Sequence, residues 1–404
     1  MKIGILTGTR PDIIKLAPIY WEAKKRGHEA VLIHSGQHQL FHLYEGVYRD
    51  MELPFPPDFA PKSPRRFLLE KVSKLATKTG NVENIENMLA GGVDHVREQA
   101  TVAARIKKFM TGLLKREKFD IVLTHGDTLT SMIGAISCYL NNIPVGHVEA
   151  GLRTFSREPY PEQGCTRTSD AVSSLYFAAT ETNARNLSNE GFPKERIFTV
   201  GNSVIDAAIW AEQKGGSEKI KNLIGSDGKP VIYFSCHRKE NLIDRNRFTN
   251  IANSAVELSK KYRVIWSVRP GTRVALKNYG IEIKENENLK LVSDIPNYTD
   301  IMHLMSRCRF VCTDSGSMQE EICALHVPCM TLRFVTDRPE SVEAGANVLA
   351  PPRSVEEILQ AADFIEKNYE KMRAAKNPYG DGTSSKKILD AIEKFDGKLV
   401  EWEK

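Results

Sequence analysis

Three short segments of the sequence place acidic and basic side chains directly after apolar runs: THGDTLT at Thr124–Thr130, HVEAGLRT at His147–Thr154 and FSCHRKEN at Phe234–Asn241. Each apolar run is typical of a buried parallel strand. In an open α/β sheet, ligands bind in the crevice beyond the carboxyl ends of the strands. Carboxylates and a histidine gathered there predict proton chemistry on a bound ligand.

Three carboxylates are the candidates for that chemistry. Asp127 follows a strand and a glycine, Glu149 ends the next strand, and Glu162 lies in the loop PYPEQ. Each alone also fits an N-cap or a salt-bridge partner, Asp127 most of all, because GDT before a helix is an ordinary cap. Three of them on ligand-edge loops favour a shared role. Arg153 of GLR is expected to orient a carboxylate or to contact phosphate.

Basic residues after strands indicate an anionic ligand. His237 and Arg238 follow a strand directly, and both can donate to diphosphate oxygens whose charge grows as a bond to phosphate breaks. His125 and His147 also end strands, and a structural role in the core explains them equally well.

The first turn, GTRPDIIK, has the composition of a phosphate site. Gly8 permits a tight turn, Arg10 projects at the ligand edge, and Lys15 lies on the following helix. Strand–turn–helix junctions offer N–H groups and positive charge to phosphate. Arg10 paired with a neighbouring acid is the alternative. The segment RFVTDRPE contains two further arginines, Arg333 and Arg338. One is expected to bind the ligand and the other to stabilise the fold.

The motif DSGSMQEE is more specific. Ser315, Gly316 and Ser317 open a helix whose N-terminal amides can receive a diphosphate. A carboxylate early in such a helix can accept both hydroxyls of a ribose. We assign this role to Glu321, and Glu320 then complements the helix dipole.

Composition sets the class of protein. At 404 residues, with 41% hydrophobic and 26% charged residues, the chain is expected to form two ordinary α/β domains. The net charge of +5 is too small to argue for nucleic acid but suits an anionic small ligand. The seven scattered cysteines read as reduced core residues without a metal site. With no apolar run long enough for a membrane and no signal-peptide pattern at the start, we expect a cytoplasmic protein.

Strand-like runs alternate with helical stretches, which predicts two parallel, Rossmann-like sheets. The first sheet is expected to contain Lys2–Gly8, Ala30–His34, Ile121–Thr124, Pro144–His147, Leu175–Ala178 and Ile197–Val200. The second is expected to contain Val231–Cys236, Val264–Val268, Leu289–Val292, Phe310–Thr313 and Pro328–Leu332. We place the first domain at 1–205, with 375–404 and its helix Ser385–Phe395 packing back on it, and the second domain at 206–374.

One segment interrupts the alternation. Met51–Gly92 contains five prolines and then the basic amphipathic stretch RRFLLEKVSKLATK. A long insertion of this kind is either a packed loop and helix at the edge of the first domain, or a mobile lid or an interaction surface.

At these residues the chain resembles the non-hydrolysing UDP-N-acetylglucosamine 2-epimerase family. The matching motifs are GTRPDIIKLAP, SGQH, HGDT, GHVEAGLRT, PE, GNSVIDA, HRKEN, DSGSMQEE and RPESVEAG. They occur in the family's order across nearly the whole chain. The resemblance implies an α/β fold of two Rossmann-like domains facing a cleft (glycosyltransferase-B type), in which the second domain binds most of the nucleotide.

The resemblance also implies a reaction. A 2-epimerase of this family interconverts UDP-N-acetylglucosamine and UDP-N-acetylmannosamine by eliminating and re-adding UDP through a glycal, without a metal or another cofactor. Catalysis is then carried by Asp127, Glu149, Glu162 and His237. The UDP-sugar is bound by Arg10, Lys15, Arg153, Arg238, Ser315, Gly316, Ser317, Glu321 and Arg338. A cytoplasmic homodimer that serves cell-surface polysaccharide biosynthesis is the corresponding setting.

The sequence departs from the family pattern near the predicted sugar site. After Glu162 the family has a second Glu and then an Asn-Arg pair, where this chain has Gln163, Cys165 and Thr166. Arg167 is the candidate to replace the lost arginine. In the second domain, Ser317 replaces a glycine, and the histidine expected before a proline motif is Arg269 in VRPG. Three alternatives therefore stay open. The first is a 2-epimerase of a modified UDP-2-acetamido sugar such as a diacetamido-uronate, or an enzyme that releases the free sugar by hydrolysis. The others are a glycosyltransferase-B type transferase and a weakly active UDP-sugar sensor.

Overall fold

The structure is a computed structural model that describes residues 1–37, 42–61, 95–154, 161–293 and 295–399. The chain forms two compact units, the first from residues 1–207 and 382–404 and the second from residues 208–381. The two boundaries lie two and seven residues after the predicted positions, at 207 in place of 205 and at 381 in place of 374. The first falls inside a helix, which explains why no glycine or proline marks it.

The strands and helices alternate along the chain, as a parallel α/β architecture requires. The strands are β1 (Lys2–Thr7), β2 (Glu29–His34), β3 (Ile121–His125), β4 (Val145–Val148), β5 (Leu175–Ala178), β6 (Ile197–Thr199), β7 (Val231–Ser235), β8 (Arg263–Ser267), β9 (Leu289–Val292), β10 (Cys308–Thr313), β11 (Cys329–Thr331) and β12 (Asn347–Leu349). The helices are α1 (Arg10–Lys25), α2 (His42–Asp50), α3 (His95–Leu114), α4 (Leu129–Tyr139), α5 (Glu162–Val172), α6 (Glu181–Asn189), α7 (Ser203–Lys214), α8 (Glu218–Ile224), α9 (Lys239–Leu242), α10 (Arg245–Ser259), α11 (Pro270–Tyr279), α12 (Tyr298–Ser306), α13 (Gly316–Ala324), α14 (Pro339–Glu343), α15 (Val355–Lys367), α16 (Tyr369–Arg373) and α17 (Ser384–Glu393), with a 3₁₀ turn at Lys194–Arg196.

Each unit has one six-stranded sheet. The strand orders are β2-β1-β3-β4-β5-β6 and β12-β11-β10-β7-β8-β9, and all the pairs within the sheets are parallel. The predicted α/β class with two Rossmann-like sheets is confirmed. The prediction omitted β12, whose three residues are too few to show a pattern.

The strand order identifies one ligand edge in each sheet. In doubly wound sheets the ligand binds where the direction of winding reverses, because the flanking connections run to opposite faces there. That point lies between β1 and β3 in the first sheet and between β7 and β10 in the second. The motifs GTRPD and HGDT follow the first pair of strands, and HRKEN and DSGS follow the second pair.

The insertion at Met51–Gly92 is described only as far as residue 61. Within this part, Phe59 continues the first sheet beside Ile33 through a bridge, and its carbonyl accepts from the His34 amide at 2.8 Å. This portion therefore packs against the edge of the sheet. The basic stretch, with Arg65, Arg66, Lys71, Lys74 and Lys78, lies outside the described residues.

Candidate active site

The turn after β1 is built by local hydrogen bonds. Thr9 caps α1, and the Asp12 carboxylate returns to accept from the amides of Gly8 at 3.1 Å and Thr9 at 2.9 Å. This capping box holds the start of α1 close to the sheet. A side chain at Gly8 would collide with Thr130 and Ser35, so a bulkier residue cannot occupy this turn. Arg10 and Lys15 follow on the helix that the turn positions.

Glu149 is the centre of a buried charge cluster at this edge. Its carboxylate pairs with Lys15 and accepts from Asn202 at 2.6 Å, and both partners are buried. The other carboxylate oxygen lies 3.1 Å from His125 Nε2. The Glu149 backbone is left-handed, with φ of +63°, a conformation that non-glycine residues adopt only where the surroundings impose it.

His125 connects this cluster to the first turn. Its Nδ1 lies 3.0 Å from Asp12 Oδ1, opposite the contact with Glu149. Burial by itself lowers the pKa of His125, but the negative charges of Glu149 and Asp12 outweigh burial and raise the pKa to about 9. His125 is therefore an imidazolium at neutral pH, and Asp12, His125, Glu149 and Lys15 form a charge-balanced set.

Asp127 and Glu162 lie near the same small side chain. Burial raises the pKa of the Cys165 thiol to about 12, and the charges of Asp127 and Glu162 add to that shift. Both carboxylates are thus close enough to Cys165 for their charges to change the pKa of its thiol. Thr128, not Asp127, caps α4 by accepting from the Ser131 amide at 3.1 Å, so the alternative interpretation of Asp127 as the cap is wrong.

Glu162 begins α5 with a carboxylate oxygen that is poorly satisfied. Among the described residues, its buried Oε2 has no hydrogen-bond partner. Thr166, one helical turn later, is fully buried, and its hydroxyl also lacks a partner within the described part of the chain. Buried polar atoms normally have hydrogen-bond partners, so these two are exceptions among the described residues.

Arg153 takes the first of its two predicted roles. Its guanidinium lies 2.8 Å from Asp170 and 2.7 Å from Glu190, and the side chain has 0% exposed surface. It orients carboxylates, and contact of Arg153 with phosphate stays a prediction. Arg167 also pairs with Glu190, at 3.0 Å, and in this conformation it does not replace the arginine missing at Thr166.

In the second unit, Asp314 organises the HRKEN turn. Its buried carboxylate accepts from the amides of His237 and Arg238 and from Asn241 Nδ2, and it lies 3.1 Å from His237 Nδ1. Burial alone raises the pKa of Asp314, but the hydrogen bond from His237 and the backbone amides outweigh it and lower the pKa to about 2. A permanent carboxylate thus fixes the ring of His237, which keeps part of its surface exposed.

The N-terminus of α13 lies beside this turn. Ser315 is its cap residue, and Ser315 and Ser317 place their hydroxyls 3.4 Å apart. A Cβ at Gly316 would lie 3.2 Å from the Asp337 carboxylate and 3.4 Å from Arg238. Ser315, Gly316 and Arg238 are therefore brought together, as an anion site at a helix N-terminus requires.

The two acids of DSGSMQEE have different surroundings. Glu320 binds Arg338, with 2.6 Å between its carboxylate and Nε, so Glu320 has a specific ion pair in place of the predicted dipole role. Glu321 is also buried. Arg333 pairs with Asp337 at 2.7 Å. Both arginines thus have partners in the fold, and contact of Arg338 with UDP stays a prediction.

Several residues that shape these sites were not assigned roles from the sequence. They are Asp12, Asp170, Asn202 and Asp314. Asn202 and Asp314 each come just after a strand, which is a usable signal. Asp12 and Asp170 lie within helices, where a buried acid cannot be distinguished from an exposed one by sequence alone.

Comparison with known proteins identifies the family. Residues 22–393 match the family model described as UDP-N-acetylglucosamine 2-epimerase. The chain belongs to this family. The UDP-N-acetylglucosamine 2-epimerase of Methanocaldococcus jannaschii is 33% identical over 398 residues, which cover 96% of this chain and 98% of the relative. The resemblance inferred from the motifs is confirmed, and so is the assignment to the isomerases.

Solved structures of the family agree with the fold. The UDP-GlcNAc 2-epimerase of Neisseria meningitidis bound to UDP-GlcNAc has a TM-score of 0.79 at 28% identity, covering 98% of this chain and 100% of that one. The Methanocaldococcus jannaschii enzyme in complex with UDP-GlcNAc and UDP has a TM-score of 0.76 at 31% identity, covering 97% and 99%. Within the described ranges, no helix is long and apolar enough to cross a membrane.

Proposed function

We propose that this protein interconverts UDP-N-acetylglucosamine and UDP-N-acetylmannosamine by eliminating and re-adding UDP. The observation that carries the proposal is the set of Asp127, Glu149 and Glu162 around the carboxyl edges of β3 and β4, which are neighbours in the first sheet. The chain belongs to the 2-epimerase family, and its relatives of that name supply the substrate class.

The reaction needs a leaving group before it needs a base. The hydrogen on C2 of the sugar is not adjacent to a carbonyl and is barely acidic. When the C1–O bond breaks, its electron pair leaves with the β-phosphate oxygen of UDP, and C1 gains oxocarbenium character. A carboxylate then takes the C2 proton, and the C–H electron pair forms the C1=C2 bond of a glycal. Re-addition of UDP with protonation on the other face gives the epimer.

The second unit supports the departure of UDP. His237, Arg238 and the amides at the start of α13 donate to the diphosphate, where negative charge grows as C1–O breaks. Asp314 fixes the His237 ring, so little reorganisation is needed during the reaction. Glu321 is the proposed partner of the ribose hydroxyls.

The surroundings of Glu149 suggest its part in the proton transfers. Lys15, His125 and Asn202 surround its carboxylate, so Glu149 enters the reaction ionised. An ionised carboxylate accepts a proton and does not donate one. The proton for the opposite face of C2 then comes from Asp127 or Glu162.

A second candidate substrate is a modified UDP-2-acetamido sugar, such as a diacetamido-uronate. The sequence differs from the family pattern at Gln163, Cys165 and Thr166. Of these, Cys165 lies close enough to Asp127 and Glu162 for their charges to raise its pKa. A change of side chains beside the acid–base groups alters which substituents of the sugar fit there.

Proton NMR of UDP-N-acetylglucosamine incubated with the protein in deuterated water tests the proposal. We expect loss of the C2 proton signal and growth of the manno epimer. Unchanged substrate, while calorimetry shows that UDP binds, would reject this substrate and lead to the same experiment on a UDP-diacetamido-uronate.

A further inference from the structure

Asp170 is a buried carboxylate that lies outside the set of proposed acid–base groups. It is on α5, two helical turns after Glu162, with 0% side-chain exposure. It lies 2.6 Å from His147 Nδ1 and 2.8 Å from Arg153 Nη1, and it accepts from the Gly151 amide at 3.3 Å. A single carboxylate thus binds three donors from β4 and the turn that follows it.

His147 extends this connection to the next strand. Its Nε2 lies 2.9 Å from the carbonyl oxygen of Gly126, the residue before Asp127. A carbonyl only accepts, so Nε2 of His147 is the donor in this contact. His147 therefore connects Asp170 to the turn of Asp127, and its side chain is buried with 0% exposure.

Three chain segments are joined in this way. Gly126 leads into Asp127, Gly151 follows Glu149 by two residues, and Asp170 shares α5 with Glu162. The backbone at Glu149, a non-glycine residue, has a φ of +63°, so the turn after β4 is held in a conformation that needs support from its surroundings. Asp170 supports this turn directly, through the Gly151 amide, and it reaches the Gly126 turn through His147.

We propose that Asp170 is a positioning residue that holds Asp127, Glu149 and Glu162 in the mutual geometry that epimerisation requires. This inference rests on the proposed function of those three carboxylates. Proton removal from one face of C2 and delivery to the other need groups at fixed separations, and a displacement of about 1 Å can cost about 10²-fold in rate. A buried carboxylate whose donors are all fixed by the fold maintains such separations.

Glu190 provides a matched control. It binds the same arginine as Asp170 does, with 2.7 Å to Arg153 Nη2, and its side chain is 28% exposed. Among the described contacts, it reaches neither the Gly126 turn nor the Gly151 amide. Glu190→Gln therefore removes the negative charge of one partner of Arg153, and it changes no contact with the Gly126 turn or the Gly151 amide.

The experiment compares Asp170→Asn with Glu190→Gln in deuterated water. We expect Asp170→Asn to lower kcat by about 10²-fold, with the KM for the UDP-sugar little changed. We also expect it to change the ratio of deuterium in the recovered starting epimer to deuterium in the product epimer. This ratio does not depend on how much of the enzyme is folded, so lost stability alone cannot move it. Glu190→Gln should keep the wild-type ratio.

Hydrogen–deuterium exchange of the backbone amides gives a readout that requires no activity. We expect faster exchange in Asp170→Asn at Gly126–Thr128 and Ala150–Leu152 and wild-type exchange there in Glu190→Gln. If Asp170→Asn does not fold, His147→Gln breaks the link between Asp170 and Gly126 but keeps the contacts of Asp170 with Arg153 and Gly151, so it should loosen Gly126–Thr128 alone. Wild-type amide exchange in these variants, or equal changes in Glu190→Gln, would overturn the proposal. Absence of C2 exchange in the wild-type protein would instead reject the proposed function.

Discussion

Glu149 shows how one residue can be constrained by both its backbone and its charge. Its φ of +63° places the carboxylate next to Lys15, Asn202 and His125, three residues that are far apart in the sequence. A strained backbone at a cluster of buried charges is typical of functional sites. The sequence located Glu149 at a strand end, but it could not show these partners.

Replacement of Glu149 with glutamine tests its proposed role. Glu149→Gln keeps the size of the side chain but removes its ability to take a proton, so we expect exchange at C2 to fall by about 10²- to 10⁴-fold. NMR in deuterated water measures the exchange. Calorimetry should show unchanged UDP affinity, because the proposed nucleotide contacts are mainly in the second unit. Wild-type exchange in the variant would contradict the acid–base assignment.

At the level of elements, α4 packs closely on the first sheet. A Cβ at Gly134 would collide with Leu6 of β1, so this helix approaches the strand at a glycine. The approach holds the HGDT turn, which opens α4, beside the end of β1. Gly112 on α3 differs, since no described heavy atom lies within 4 Å of a Cβ added there.

Alanine at these two glycines should have opposite effects on stability. Gly134→Ala forces β1 and α4 apart, and we expect it to lower the free energy of unfolding by about 1–3 kcal/mol. Gly112→Ala raises helix propensity without a clash and should increase the free energy of unfolding by about 0.5–1 kcal/mol. Chemical denaturation of both variants measures the difference. Equal effects would show that the close contact at Gly134 relaxes without cost.

At the scale of the whole molecule, the chain returns to its first unit after the second is complete. Helix α17 packs beside α1, where Arg26 binds Asp390 at 2.7 Å and Glu393 at 3.0 Å. At the start of α17, the amides of Ser384 and Ser385 donate to the Asp206 carboxylate. The first unit therefore depends on residues near the end of the chain.

Loss of packing in α17 should destabilise the molecule without changing its chemistry. Leu389 is fully buried, and we expect Leu389→Ala to lower the free energy of unfolding by about 2–5 kcal/mol. The exposed Lys386→Ala, on the same helix, should change it by less than about 0.5 kcal/mol. Thermal unfolding measures both. A kcat per folded molecule that falls in Leu389→Ala would show that α17 also shapes the active site.

The sequence by itself determined the class of fold, most of the strands and the family. These features depend on local patterns, because apolar runs of strand length and motifs at their ends are readable residue by residue. The same patterns placed Asp127, Glu149 and His237 at strand ends, where ligands bind, and Glu162 in a loop. The three-residue strand β12 was not predicted, because so short a segment shows no hydrophobic periodicity.

Only the tertiary structure decided which of these residues meet. The lateral order of strands brings β1 beside β3 and β7 beside β10, and no local pattern specifies that order. Arg153 was predicted as a possible phosphate ligand, yet it is buried against Asp170 and Glu190. The partners of Glu149 and the three donors of Asp170 likewise depend on packing. The physical reason is that contacts between distant segments depend on the arrangement of whole elements, which single residues and their spacing do not encode.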